Sequence, residues 1–273
     1  MDPLARHAAP FDASLWDAID EAAVRAARPL ITARRFLDVE GPFGLGLTTV
    51  EVGNDGLCRQ PAPEEAGAVM GVALSVPLLR KSFQLSLRRL AAAEQGQPLD
   101  LRAVEDAAEA VARREEEMIY LGQPAFHLAG LLTAPGRTHR RLGDWSDMDR
   151  ALADVLGAVT ALDQAGYPGP YALVASAALY NSLFRRYEHS DMLQVEHLSR
   201  LCTLGIHKIH IDGAAVIDPR AGKLVIGEDL RAGYSHQDGV HAHMHLTESI
   251  VLKLDDARAI CTLGREEEVA TTA

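Results

Sequence analysis

The chain has no CxxC pair, so its three cysteines, Cys58, Cys202 and Cys261, suggest neither a zinc knuckle nor a thioredoxin-type redox site. Widely spaced free thiols fit a reducing compartment better than a disulfide framework. There is no HExxH for a zinc protease and no GxSxG elbow for a serine hydrolase. No run approaches the roughly 18–20 apolar residues of a membrane helix. The N-terminal segment carries Asp2, Arg6, His7 and Asp12 and lacks the apolar core of a signal peptide. A basic excess is missing too: 27 Lys+Arg face 38 Asp+Glu, a formal charge of −11. Such a chain is a poor sequence-independent binder of nucleic acid. These absences give the expectation of a soluble cytoplasmic protein with no nucleic-acid or membrane partner.

What is present is a pattern of mixed helices and strands over 273 residues, enough for one large domain or two smaller ones. "FDASLWDAIDEAAVRAARPLI" places Leu15, Ile19, Ala22/Ala23 and Ala26 at helical spacing, with Asp12 or Ser14 as cap and Pro29 as terminator. "DLRAVEDAAEAVARREEEMIYLG" is the clearest helix, started by Asp100 and stopped at Gly122. A further helix is expected from Ser146 to Gly166. "GPYALVAS" reads as a buried strand, and "AALYNSLFRRY" and "LQVEHLSRLCTLG" as helices. In "VPLLRKSFQLSLRRL", Phe83, Leu85 and Leu87 alternate as in a strand. The last third is strand-rich. Residues 41–76 fit no core element; Leu47, Thr49 and Glu51 alternate as in an extended arm or hairpin. The expected class is α+β, without βαβα alternation.

Three features carry chemical interest. Gly41, Gly44 and Gly46 are spaced GxxGxG with no helix behind them, which fits a turn where an arm leaves a domain better than a phosphate loop. "EEEMI" places Glu115 near an apolar stripe, but without an ExxH partner it reads as a solvated helix edge rather than half an iron site. "HAHMHL" puts His241, His243 and His245 on one strand face, and His207, His210 and His236 add further imidazoles. Three imidazoles can bind zinc or copper in principle. The outer two, however, lie roughly 13 Å apart at about 3.3 Å per residue, whereas ligands sit about 2 Å from a shared ion. No metal ligand and no catalytic residue is assigned from these patterns.

"RRFLDVEGPFG" (34–44) resembles the encapsulins, bacterial nanocompartment shell proteins of the HK97 phage-capsid fold. "LWDAID" (15–20), with Trp16 and Asp20, looks like the family's N-terminal helix. "GPYALV" (169–174), "IGEDLRAGY" (226–234) and "LTES" (246–249) look like its later motifs, in order and spacing. The resemblance implies an HK97 phage major-capsid-protein-like α+β fold with P-domain, E-loop and A-domain. Residues 1–44 would be the N-terminal helix and start of the P-domain, 45–78 the E-loop, and 79–135 the P-domain with its spine helix. Residues 136–222 would be the A-domain, 223–263 P-domain strands, and 264–273 a disordered tail.

The resemblance also implies a non-enzymatic shell subunit. Many identical copies would close an icosahedral shell around a cargo enzyme of the ferritin-like, rubrerythrin-like or dye-decolourising peroxidase class. The cargo would dock through a C-terminal peptide. The shell itself would hold no cofactor; iron or haem would travel with the cargo. The positions matching the family's docking pocket are Val24, Ala27, Ile31, Arg34, Asp38, Leu230 and Ala232. Ala27 is small where some relatives carry an aromatic. "YEHSDM", Tyr187, Glu188, His189, Ser190, Asp191 and Met192, falls at the family's five-fold pore loop, where a ring of carboxylates would favour cations. The short E-loop points to a shell of about sixty copies, while "LGDW", "RRYE" and "AICTL" look like a larger-shell relative. A prophage-type capsid protein and a histidine-based metalloenzyme are the alternatives.

Overall fold

The computed structural model describes residues 3–57, 64, 66–185 and 192–264. The first half of the chain forms α1 (Ala13–Ala27), β1 (Asp38–Glu40), β2 (Thr49–Leu57), β3 (Val69–Ser75), β4 (Leu78–Ser86), α2 (Leu87–Ala93) and α3 (Arg102–Leu121). Then come β5 (Gly122–Gln123), β6 (Leu128–Ala129), β7 (Thr138–Arg141), α4 (Met148–Gln164), β8 (Ala172–Ser176), α5 (Ala177–Ser182), α6 (Gln194–Leu201), β9 (Ile206–Ile209) and β10 (Ala214–Ile217). The chain ends through β11 (Gly222–Ile226), β12 (Arg231–Gln237), β13 (His241–Leu254) and β14 (Ile260–Gly264). These elements fall into two units. The first draws on Met1–Ile31, Val39–Glu115 and Leu224–Lys253, the second on Thr32–Asp38, Glu116–Lys223 and Leu254–Ala273.

The first unit is built on the order β1-β11-β13-β12, with β4 also paired to β13. Strand β13 runs antiparallel to both β12 and β4. Its alternation is legible in sequence: Ala242, Met244 and Leu246 are buried between the histidines. Helix α1 packs on β12. It buries Leu15, Trp16, Ile19, Ala22, Ala23 and Ala27, the stripe that 3.6-residue periodicity requires. Asp12 occupies the N-cap position, but its side chain makes no capping bond; its backbone N–H donates to Glu94 instead. Ahead of the helix, Arg6 ties the chain down. Its guanidinium pairs both oxygens of Asp20 at 2.7 Å, donates to the Ala232 carbonyl at 2.8 Å and lies over the Trp16 ring. Leu87 does not extend β4 as its alternation suggested; it opens α2, a short helix that the strand pattern masked.

Helix α3 starts one residue later than the sequence pattern suggests. The Asp100 carboxylate accepts the Arg102 N–H at 3.0 Å, and the helix ends at Leu121, just before Gly122. Its interior holds a correction. Glu115 and Glu116 are fully buried, not solvated. Within the second unit, Glu116 accepts the backbone N–H of Thr32 at 2.9 Å and of Ala33 at 3.2 Å, and the Thr32 hydroxyl donates to it as well. The carboxylate thus satisfies donors at the start of the helical turn Ala33–Arg35. Burial, and then the Glu116 charge, push the neighbouring Tyr120 phenol well above its ordinary pKa.

The second unit is a sheet of order β7-β14-β10-β8-β9. Strand β14 pairs with β10 and β7 here, not with β13, so the block 223–263 is divided between two sheets. "DPRAGK" (218–223) accordingly leads from β10 in this sheet to β11 in the first. α4 lays Ala151, Val155, Ala158 and Leu162 on one face of the sheet, against Leu173, Val216, Cys261 and Leu263. Its cap is Asp147, one residue beyond Ser146; Ser146 bonds Asp144 instead. Cys202 and Cys261 are buried packing residues, and burial pushes their thiols up to about 12 and about 11. That suits neither nucleophile nor ligand. At the crossing, Asp218 is fully buried. Burial favours its neutral form, but the Arg220 guanidinium at 2.6 Å and the N–H groups of Arg220 and Gly169 keep its pKa below the usual range.

Candidate functional site

The arm expected at 45–78 is the antiparallel pair β2–β3, which forms its own two-stranded sheet. No residue of β3 is buried. Val69 and Met70 are 59% and 64% exposed, and Val72 is exposed beside them. A lone two-stranded ribbon is marginal in water, and exposed apolar strand residues mark a contact surface. The base of the arm is fixed by backbone geometry. Phe43 N–H donates to Ile226 O at 3.0 Å and Gly44 N–H to Gly227 O at 2.6 Å. Gly41 sits at φ +113°, where a Cβ would meet Ile226 O at 2.3 Å, so only glycine fits. The glycine cluster therefore anchors an arm.

The candidate docking residues are placed as follows. Val24 is half exposed on α1; Ala27, Leu230 and Ala232 are buried; Ile31 is half-buried. These five lie in the first unit. Arg34, half-buried, and Asp38, exposed, lie in the second. Val24 lines a shallow concavity of about 450 Å³ with Asp20, Glu21, Arg25, Arg28 and Pro29. Of that lining only Val24 was expected. Asp20 and Arg28 sit one turn to either side of it, the signal that could have found them. Of the pore candidates, Tyr187, Glu188, His189, Ser190 and Asp191 lie outside the described residues; Met192 is half-buried ahead of α6.

The histidine trio does not act as one set. His245 is buried, and its Nδ1 lies 3.2 Å from the Arg80 guanidinium and 3.1 Å from Ser235 Oγ. A guanidinium only donates, so Nδ1 accepts and the ring is neutral with its proton on Nε2. Burial, then the Arg80 charge, lower its pKa. His243 instead bonds Asp238 at 3.0 Å and stacks on His236, with centroids 4.3 Å apart. His241 is 3.9 Å from Asp238. That bond from His243, followed by the N–H groups of His241 and Val240, holds the Asp238 carboxyl far below the usual range. Among the described residues no three His, Cys, Asp or Glu side chains are grouped to hold a metal.

The buried ring also explains Gly233. A Cβ there would lie 2.5 Å from His245 Nε2. Gly233→Ala is expected to displace the ring and cost about 1–2 kcal/mol in denaturant unfolding. The cost should fall in a His245→Ala background, where only the Leu4 carbonyl, 3.1 Å from the added Cβ, still crowds it; equal costs in both backgrounds would show that the ring is not the cause.

Residues 1–251 match the Linocin_M18 family model, described as "Encapsulating protein for peroxidase". The chain is 30% identical to the type 1 encapsulin shell protein EncA of Myxococcus xanthus, over 93% of each chain. It is 29% identical to a diheme-cytochrome-encapsulin shell fusion protein of Kuenenia stuttgartiensis, over 91% of this chain and 72% of that one. In fold it is similar to the virus-like particle protein of Pyrococcus furiosus: TM-score 0.73, 21% identity, 91% of this chain and 99% of that one. It is also similar to the capsid of Myoviridae phage XM1: TM-score 0.59, 18% identity, 83% and 88% covered.

Proposed function

The chain belongs to the Linocin_M18 family of encapsulating shell proteins, with the HK97-type capsid fold, and from that membership we propose that it closes an icosahedral shell around a cargo enzyme. It is a structural subunit rather than an enzyme. The observation that carries the proposal is the β2–β3 arm. Among the described residues Val69, Met70 and Val72 stand exposed on it, and the proposal is that a second copy of the chain covers them in a repeated heterologous contact. A histidine-centred metalloenzyme has no support in the geometry, because the three imidazoles are divided between Arg80 with Ser235 and Asp238 with His236. A phage capsid protein shares the fold, but the family match favours the encapsulin branch.

We further propose that the shell loads a cargo bearing a C-terminal peptide. The fused diheme cytochrome of the Kuenenia relative is one way in which a redox protein is tied to such a shell; a docking peptide is another. The face of α1 around Val24 is the proposed receiving surface in the first unit, and Arg34 and Asp38 are proposed peptide contacts in the second. The apolar positions would take aliphatic side chains and the charged ones polar groups. Iron-storage proteins and haem peroxidases are the proposed cargo classes, and 187–192 the proposed pore loop. No helix among the described residues is long and apolar enough to cross a membrane, and a cytoplasmic compartment is the proposed location. Arg34→Ala and Asp38→Ala are each expected to reduce the cargo-to-shell ratio of co-expressed particles severalfold, with particle size unchanged. Equal loading in both variants and wild type would remove these residues from the docking surface.

A further inference from the structure

We propose that a cleft in the second unit binds a small organic anion with an apolar body. The cleft measures about 620 Å³, the size of small-molecule sites rather than of packing defects. It lies where the carboxyl ends of β8 and β14 meet the start of β10, bounded by Ser176, Gly264 and Gly213. Arg140, next to His139 on β7, turns its guanidinium onto Gly157 of α4. His139 therefore points to the other side of the sheet, into the cleft.

The lining has a defined chemistry. Leu121, Leu132, Leu142 and Leu179 supply apolar walls. Arg137 supplies the cation. The Arg137 guanidinium is oriented by a bond from Nη1 to the Ala134 carbonyl at 3.2 Å. It carries a permanent charge in a planar fork suited to a carboxylate or phosphate. His139 is oriented through Nδ1, 3.0 Å from Thr262 Oγ1. Thr262 in turn donates to Thr138 O at 3.3 Å, so its oxygen accepts the Nδ1–H and Nε2 is the ring atom left to meet a ligand. Among the described lining residues Asp212 is the one carboxylate; it favours an anion that also carries a hydroxyl or amino group. A charged head at Arg137 with a hydrocarbon body against the leucines uses both halves of the lining. All the lining residues belong to the second unit, whereas the arm and α1 belong to the first.

Saturation-transfer NMR on the intact particle tests the proposal, with benzoate, phenyl phosphate and neutral benzyl alcohol as probes. At least one anion is expected to receive saturation on its ring protons, with benzyl alcohol several-fold weaker; the stronger of the two identifies the head group as carboxylate or phosphate. Arg137→Gln should reduce the signal at least fivefold by removing the charge. Leu132→Trp should do the same by filling the cleft while leaving Arg137 in place. Both variants are compared at unchanged particle size. No transfer from either anion, equal transfer from benzyl alcohol, or wild-type signals in an intact variant would each overturn the assignment. Absence of particles in the wild type would instead count against the shell reading.

Discussion

Replacing Met70 and Val72 together by aspartate is expected to leave the subunit folded and to abolish shell assembly. Both residues lie on one face of β3, two positions apart, and both are exposed in the single chain. If the arm is covered by a neighbouring copy, the substitution places two carboxylates in an apolar contact with no partner for either. An unpaired buried charge costs several kcal/mol, and a closed shell repeats that cost at every equivalent interface. Nothing in the first unit's core depends on these side chains, so its own folding should be spared. Size-exclusion chromatography and far-ultraviolet circular dichroism separate the outcomes. Small soluble species with a native spectrum are expected; particles of wild-type size would show that the arm is not an interface.

The second large effect concerns stability. Glu116→Ala is expected to destabilise the subunit by about 3 kcal/mol. It strands the N–H groups of Thr32 and Ala33 in a buried position and leaves the Thr32 hydroxyl with Tyr120 alone. Glu116→Gln keeps one acceptor oxygen and should cost clearly less. Denaturant midpoints measured on an assembly-deficient background, such as the arm variant, keep the comparison free of shell contacts. Equal midpoints for Glu116→Ala and its parent would mean that the carboxylate does not organise residues 32–35.

These two predictions also mark where the sequence was readable. The arm was legible because its glycines and alternating Leu47, Thr49 and Glu51 fit no packed element. Helix α3 was legible because Asp100 and Gly122 mark its ends and its apolar stripe is regular. Glu116 was not: its partner Thr32 is 84 residues away, and a run of three glutamates looks like a wet edge until that partner is in place. The histidines divide in the same way. Alternation put them on one face, but only tertiary contacts show Arg80 at one imidazole and Asp238 at another. The docking residues came from family resemblance. Their burial differs from residue to residue, from half-exposed Val24 to fully buried Ala232, because no local pattern separates a pocket wall from ordinary packing. The swap of β14 into the second sheet was invisible for a related reason: strand pairing is a long-range choice that local periodicity does not encode.

The central claim is that this chain is the repeating unit of a closed shell. Native mass measurement of the purified protein, with electron microscopy of the same sample, tests it most directly. A chain of 29.5 kDa assembling in roughly sixty copies gives hollow particles on the order of 1.8 MDa, or a larger multiple if the shell is larger. A homogeneous monomer or dimer at micromolar concentration, with no shells in the images, would contradict it.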